Sequence, residues 1–226
     1  QYSLYKPIQI CHYRNMRTMI YIAGLLVSII ANAENRVAVI DTGIAVNDKN
    51  APYLCKTGHR DFTGAGLYDE EGHGTEVVNY IIDNSNTKNF CIVMFKFYDK
   101  NLPTKQIINN TVLAILEARK LNIKLINYSA NGPSRSVEEE FAIRNNLDIT
   151  FVVAAGNDGV NLDEHPRYPA SYGYKNVIAV GALNKDGSRH KVSNYGSVVL
   201  DWEQASATSF ATAIKTGKII NKRFDR

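Results

Sequence analysis

Ser209 stands in the stretch Ser206-Ala-Thr-Ser-Phe-Ala-Thr-Ala-Ile-Lys-Thr-Gly217, where small hydroxyl residues run straight into a segment able to start a helix. A serine in the first helical turn has unpaired backbone N–H groups and the positive dipole end beside its hydroxyl. An oxyanion formed by attack of that hydroxyl on a carbonyl would find donors waiting. The same residues also suit an ordinary N-cap, with Thr208 or Ser209 capping a helix through Phe210, Ala211, Ile214 and Ile219. Partners decide between the two, because a serine nucleophile needs a base and a group that orients the base. Two candidates stand upstream. Arg36-Val-Ala-Val-Ile-Asp41 is an apolar run ending in an acid before Thr42-Gly43, and Gly72-His73-Gly74-Thr75 leads into Glu76-Val-Val-Asn-Tyr-Ile-Ile82.

The elements that must position these groups follow from periodicity. Arg36–Asp41 reads as a buried parallel strand with the acid at its carboxyl end, where functional groups of open α/β sheets gather. His73 opens a helix. Phe90–Phe97 is a second strand, and Pro103-Thr104 introduces a helix with Ile107, Ile108, Val112, Ile115 and Leu116 at helical spacing. A strand over Ile123–Tyr128 ends in Ser129-Ala-Asn-Gly132, and a helix from Val137 to Asn146 leads to a strand over Ile149–Ala155 that breaks at Gly156-Asn157-Asp158-Gly159. Further strands are expected over Asn176–Gly181 and Val198–Leu200. Strands alternating with helices predict an α/β fold, a mostly parallel sheet with helices on both faces in three layers. With no linker, repeat or low-complexity tract, residues 34–226 read as one domain.

The reactive residues occur in the chain order Asp41, His73, Ser209, which is the subtilisin order. Val-Ala-Val-Ile-Asp41-Thr-Gly, Gly-His73-Gly-Thr, Asn127-Tyr-Ser-Ala-Asn-Gly132, Ala-Ala-Gly-Asn157-Asp-Gly, Tyr168-Pro-Ala-Ser, Asn176-Val-Ile-Ala-Val-Gly-Ala and Thr208-Ser209-Phe-Ala together resemble the subtilisin-like serine protease family, from about Arg36 to Gly217. The resemblance implies a subtilisin-like fold and a serine endopeptidase acting on polypeptides. Asp41, His73 and Ser209 would be the triad, and the Asn157 side-chain amide would join the Ser209 N–H in an oxyanion hole. Asn157 between two glycines also fits a plain turn. Ser129, Ala130, Asn131 and Gly132 resemble the segment that pairs with substrate as an added strand. With Ala154, Ala155 and Gly156 they would wall a pocket of little bulk, open to an apolar or aromatic side chain. A fold of this kind that binds peptides or partners without turnover is the alternative.

The first residues read differently. Arg14 and Arg17 precede the apolar Met19–Ile30 and then Ala31-Asn32-Ala33, a leader pattern with an A-x-A site, for which a buried helix or strand pair is the alternative. Cleavage after Ala33 would give a secreted or periplasmic monomer without a stable membrane anchor. It would remove Lys6, Arg14 and Arg17 and no acid, so the net charge falls from +4 to +1, 23 basic against 22 acidic residues. No basic cluster interleaved with aromatics remains, which argues against nucleic acid as a partner. Cys55 and Cys91 are then an even pair, free to form one disulfide.

No cofactor is needed for the chemistry, and a structural calcium is left open. His59 with Asp61, and Asp69 with Glu70 and Glu71, have no second ligand at metal spacing and read as solvated loop groups. His165 and His190 have no motif around them, and the sequon Asn109-Asn-Thr111 falls inside an expected helix. The chain departs from the family pattern at Ala207 (for Gly), Ala213 (for Pro) and Glu76 (for His). It is also short between Asp201 and Thr208, and 17 residues follow Ser209, as in a fragment or a minimal variant. Ala207 is harmless where its φ is negative.

Overall fold

The computed structural model describes residues 34–225, so the leader expected over 1–33 lies outside the described residues. Seven parallel strands form one sheet in the order β2-β3-β1-β4-β5-β6-β7. They are β1 (Arg36–Asp41), β2 (Arg60–Asp61), β3 (Cys91–Lys96), β4 (Leu125–Tyr128), β5 (Thr150–Ala154), β6 (Val177–Leu183) and β7 (Asp201–Gln204). Four helices complete the layers: α1 (His73–Asp83), α2 (Thr104–Lys120), α3 (Val137–Arg144) and α4 (Thr208–Phe224).

Alternation along each strand assigns the faces. Ala38, Ile40, Val93, Phe95, Ile126 and Phe151 pack with Ala114, Ile115 and Ala118 of α2 and Ala142 and Ile143 of α3. Val37, Val39, Ile92, Met94, Leu125 and Val152 pack on the other face with Val77, Val78 and Ile81 of α1 and Ala211 and Ile220 of α4. Both faces of the central strands are therefore apolar, as a parallel sheet covered by helices requires.

β1 lies between β3 and β4 and is the point from which the strand order runs both ways. A crevice forms at the carboxyl ends of strands at such a switch point, and Asp41 ends β1 there. Cys55 and Cys91 are joined by a disulfide with their Cα atoms 4.9 Å apart. The loop it closes contains all of α1.

The expected strand over Val198–Leu200 is displaced. Leu200 is exposed, and the strand is instead the polar Asp201-Trp-Glu-Gln204 at the sheet edge. An edge strand beside α4 can carry acids because lysines face it: Asp201 pairs with Lys215, and Glu203 with Lys218 at 2.5 Å. The two-residue edge strand β2 has no counterpart among the expected elements.

Candidate active site

Asp41 is 2% exposed at the end of β1. Its Oδ1 accepts from the Thr42 N–H at 2.8 Å and from His73 Nδ1 at 2.7 Å, while its Oδ2 is buried with no hydrogen-bond partner among the described residues. A carboxylate can only accept here, so Nδ1 of His73 carries the proton and Nε2 is left as the basic nitrogen. His73 is the first residue of α1. Gly74 allows the close approach: a Cβ there would lie 2.4 Å from the Gly43 carbonyl and 3.1 Å from the Asp41 Cβ. Burial alone would lower the His73 pKa. The hydrogen bond and charge of Asp41, with the charges of Asp69 and Glu76, outweigh it and raise the imidazole above its ordinary value.

Ser209 lies in the first turn of α4, so its N–H precedes any carbonyl the helix could offer it. Neither Thr208 nor Ser209 is the N-cap. That position is Ala207, whose φ of −153° and ψ of 157° are ordinary extended backbone, so alanine in place of glycine carries no strain. The cap comes from another segment. Asn157 Oδ1 accepts from the Thr208 N–H at 2.9 Å and from the Thr208 hydroxyl at 3.0 Å. Two donors on Oδ1 fix the orientation of the amide and turn Nδ2 away, where no described residue takes it up. The Asn157 Nδ2 and the Ser209 N–H are thus two free donors at the start of one helix.

Asn194 holds the turn beneath them. Its Nδ2 donates to the Ala155 carbonyl at 2.9 Å, and its Oδ1 accepts from the N–H groups of Asp158 and Val160 at 3.1 and 3.0 Å. Gly156, with φ of 104°, leaves room that a Cβ would take from Asn194 Nδ2 and Asn131 Oδ1.

The Ser209 hydroxyl donates to the Ser129 carbonyl at 3.1 Å, and the Ser129 hydroxyl donates back to the Ser209 carbonyl at 3.0 Å. No hydrogen bond joins Ser209 Oγ to His73 in this conformation. The imidazole is nonetheless adjacent, with its ring centre 6.1 Å from that of Phe210, the next residue along α4. Behind Ser129, a buried chain runs from Thr216 through Asn127 to the Ser129 hydroxyl, with hydrogen bonds of 2.9 and 2.8 Å.

The expected pocket wall divides. Ala130, Asn131 and Gly132 line a cavity of about 300 Å3 whose other side is Phe97, Ile107 and Glu139. Ala154 and Ala155 are instead fully buried in the core. The two segments approach at Gly156, where a Cβ would lie 2.9 Å from Asn131 Oδ1.

Two expectations for loop groups change. Asp69 is 4% exposed, not solvated, because four donors converge on it from Thr42, Gly72 and Thr75. His59 uses both ring nitrogens on backbone, with Met94 N–H at 3.0 Å and the Cys55 carbonyl at 2.7 Å, and Asp61 closes its own turn on Thr63 and Gly66. Glu70 and Glu71 are exposed.

The sequence model of the Subtilase family matches residues 33–212. The chain belongs to the subtilase family. Subtilisin-like protease 2 of Trichophyton rubrum is 34% identical over 171 residues, covering 73% of this chain and 40% of that protein. The protein of the same name from Trichophyton tonsurans is 34% identical over 175 residues with the same coverage. This subtilase chain therefore spans about 40% of the length of these curated relatives. Among solved structures, the nisin leader peptidase NisP from Lactococcus lactis superposes with a TM-score of 0.70 at 18% identity, over 88% of this chain and 81% of that one. A cold-adapted subtilisin-like serine proteinase gives a TM-score of 0.67 at 21% identity, over 84% and 76%. At such identities the likeness is one of fold, and the fold is the subtilisin-like three-layer sandwich. Among the described residues, no helix is long and apolar enough to cross a membrane.

Proposed function

We propose that the chain is a serine endopeptidase that cleaves polypeptides through Asp41, His73 and Ser209, with Asn157 and the Ser209 N–H as the oxyanion hole. The observation that carries this reading is the 2.7 Å bond between Asp41 Oδ1 and His73 Nδ1, made beside a helix start whose two free donors flank a serine. In the reaction the Ser209 hydroxyl turns from the Ser129 carbonyl to His73 Nε2. Nε2 takes the proton as Oγ forms a bond to the substrate carbonyl carbon, and the oxyanion settles against Asn157 Nδ2 and the Ser209 N–H. The imidazolium, steadied by Asp41, gives the proton to the amine as the C–N bond breaks. Water then releases the acyl group by the same route in reverse. Ser129–Gly132 is the segment that would align the peptide as an added strand.

We further propose export, with cleavage after Ala33 leaving a secreted or periplasmic enzyme. The support is the basic, apolar and Ala-x-Ala order of residues 14–33 and a family match that begins at residue 33. N-terminal sequencing of the exported protein should start at Glu34, and a cell-retained product beginning at Met16 or Met19 would contradict it.

One observation favours the non-catalytic alternative: Ser209 Oγ is engaged with Ser129 and not with His73. Hydrolysis of a denatured protein or a mixed peptide library separates the two readings. The enzyme reading expects turnover in the wild type and none in folded Ser209→Ala. Because a protonated imidazole cannot accept the serine proton, activity should fall as pH drops through a His73 pKa lying above its ordinary value of 6.5. Equal, background-level hydrolysis in the two proteins would favour a peptide-binding role.

A further inference from the structure

Asp69 is a buried acid with no part in the chemistry proposed above, and both of its oxygens are taken up by hydrogen bonds. Its Oδ1 accepts from the Thr42 hydroxyl at 2.8 Å and from the Gly72 N–H at 2.9 Å. Its Oδ2 accepts from the Thr75 N–H at 2.8 Å and from the Thr75 hydroxyl at 2.6 Å. Two of the four donors, the Gly72 and Thr75 N–H groups, can only donate, one to each oxygen, and the Thr42 hydroxyl has Asp41 Oδ1 as a longer alternative acceptor at 3.3 Å. Thr42 Oγ1 already accepts from the Gly74 N–H at 2.9 Å, and Thr75 Oγ1 from the Ala45 N–H at 2.9 Å. With both hydroxyls donating, Asp69 accepts four hydrogen bonds, the arrangement that suits the ionised carboxylate. Burial would raise its pKa, but the bonds from Thr75, Thr42 and Gly72 together hold it below the ordinary carboxylate value.

The residues it holds flank the two partners of the Asp41–His73 bond. Thr42 follows Asp41. Gly72 and Thr75 bracket His73, and the Gly74 N–H reaches back to Thr42. The segment carrying Asp69 is itself fixed at the two residues before it: the Ile44 N–H donates to the Leu67 carbonyl at 2.9 Å, and the buried Lys96 amino group to the Tyr68 carbonyl at 2.7 Å.

We infer that Asp69 is a positioning residue, whose carboxylate ties the strand end carrying Asp41 to the helix start carrying His73 and adds a second fixed negative charge behind the imidazole. The inference rests on the proposed catalytic reading for its effect on rate, but not for its effect on His73 itself. The charged groups that bear on the imidazole are Asp41 at the end of β1, Asp69 in the loop and Glu76 in α1, and α4 presents the uncharged Phe210. An amide at position 69 has nearly the same shape yet sets its own two hydrogens against donors. Asp69→Asn is therefore expected to open the clamp and remove the charge together.

The test has two readouts. In a Ser209→Ala background, NMR titration of His73, assigned by the signal missing in His73→Gln, should show its pKa lowered in Asp69→Asn. In the active chain, Asp69→Asn should lower kcat by roughly 10- to 100-fold, as expected for a small misplacement of reacting groups, with KM within about three-fold. Thr42→Val keeps Asp69 and removes the hydroxyl that joins it to the Gly74 N–H, so it reports on the clamp even where Asp69→Asn fails to fold. It should lower kcat, and Thr42→Ser should restore it to within about three-fold. A folded Asp69→Asn with the wild-type His73 pKa and wild-type kcat would overturn the inference. So would a fall in melting temperature in both variants with kcat per titrated active site unchanged, which is the mark of a merely structural acid. If the wild type hydrolyses nothing but the His73 pKa still falls in Asp69→Asn, the catalytic reading fails and the positioning assignment stands.

Discussion

The two halves of the site are built from different materials. The half carrying the base is held by charge: Asp41 on the His73 Nδ1, and Asp69 on the backbone and hydroxyls either side. The half carrying the serine is held by neutral groups, with the Asn157 amide and Thr208 fixing the start of α4 and a chain through Thr216, Asn127 and Ser129 behind it. The contrast suits the chemistry. In the proposed reaction His73 gains and loses a proton and profits from fixed anions that stabilise the imidazolium, whereas an oxyanion forming at Ser209 would be repelled by any carboxylate nearby. The comparison also says where pH sensitivity should reside: in the base half, with the nucleophile half indifferent.

Removing charge from the base half is the most severe way to probe this. Asp41→Asn keeps the shape but removes the anion and favours the wrong imidazole tautomer, so on the proposed mechanism kcat should fall by about 10⁴-fold, the scale of the equivalent change in a chymotrypsin-type triad. The acid limb of the pH–rate profile should also move to lower pH, because a pKa-raising partner is gone. An unmoved limb would break the comparison. In the neutral half, Asn157→Ala removes one proposed oxyanion donor, at an expected cost of roughly 10²- to 10³-fold in kcat, a magnitude known from subtilisin, another member of this family. Here the acid limb should stay in place, and a shift of it would show that the halves are not electrostatically separate.

The smallest effect on rate is expected from the disulfide, which closes a loop of 36 residues around the base half alone. Cys55→Ser with Cys91→Ser should lower stability by about 3 to 4 kcal/mol on the chain-entropy account. Below the new melting temperature, kcat should be nearly unchanged, since α1 and Asp69 hold His73 independently. A large loss of kcat in the folded double variant would mean that the disulfide also places the base.

What the sequence revealed and what it hid divide along similar lines. Asp41 and His73 were legible because each stands where a regular element ends or begins, and apolar periodicity locates such ends. Asp69 looked like one of three solvated acids. Its burial depends on Thr42, 27 residues away, and on the threonine after Gly74, which no local pattern connects with it. The position of Ser209 was legible, but its capping was not: Ala207 has no capping group, and the Asn157 oxygen arrives from 51 residues upstream. The last strand was misplaced for a related reason. Apolar runs mark central strands, while β7 is an edge strand whose acids are matched by lysines on α4, so the apolar Val198–Leu200 was the wrong signal.

The central claim is that His73 makes Ser209 a nucleophile, and a fluorophosphonate probe tests it without a known substrate. The account predicts covalent labelling of the wild-type chain, mapped by peptide mass spectrometry to Ser209, lost in Ser209→Ala and strongly slowed in His73→Ala. Wild-type labelling no greater than in folded Ser209→Ala, or labelling at Ser209 that does not depend on His73, would contradict it.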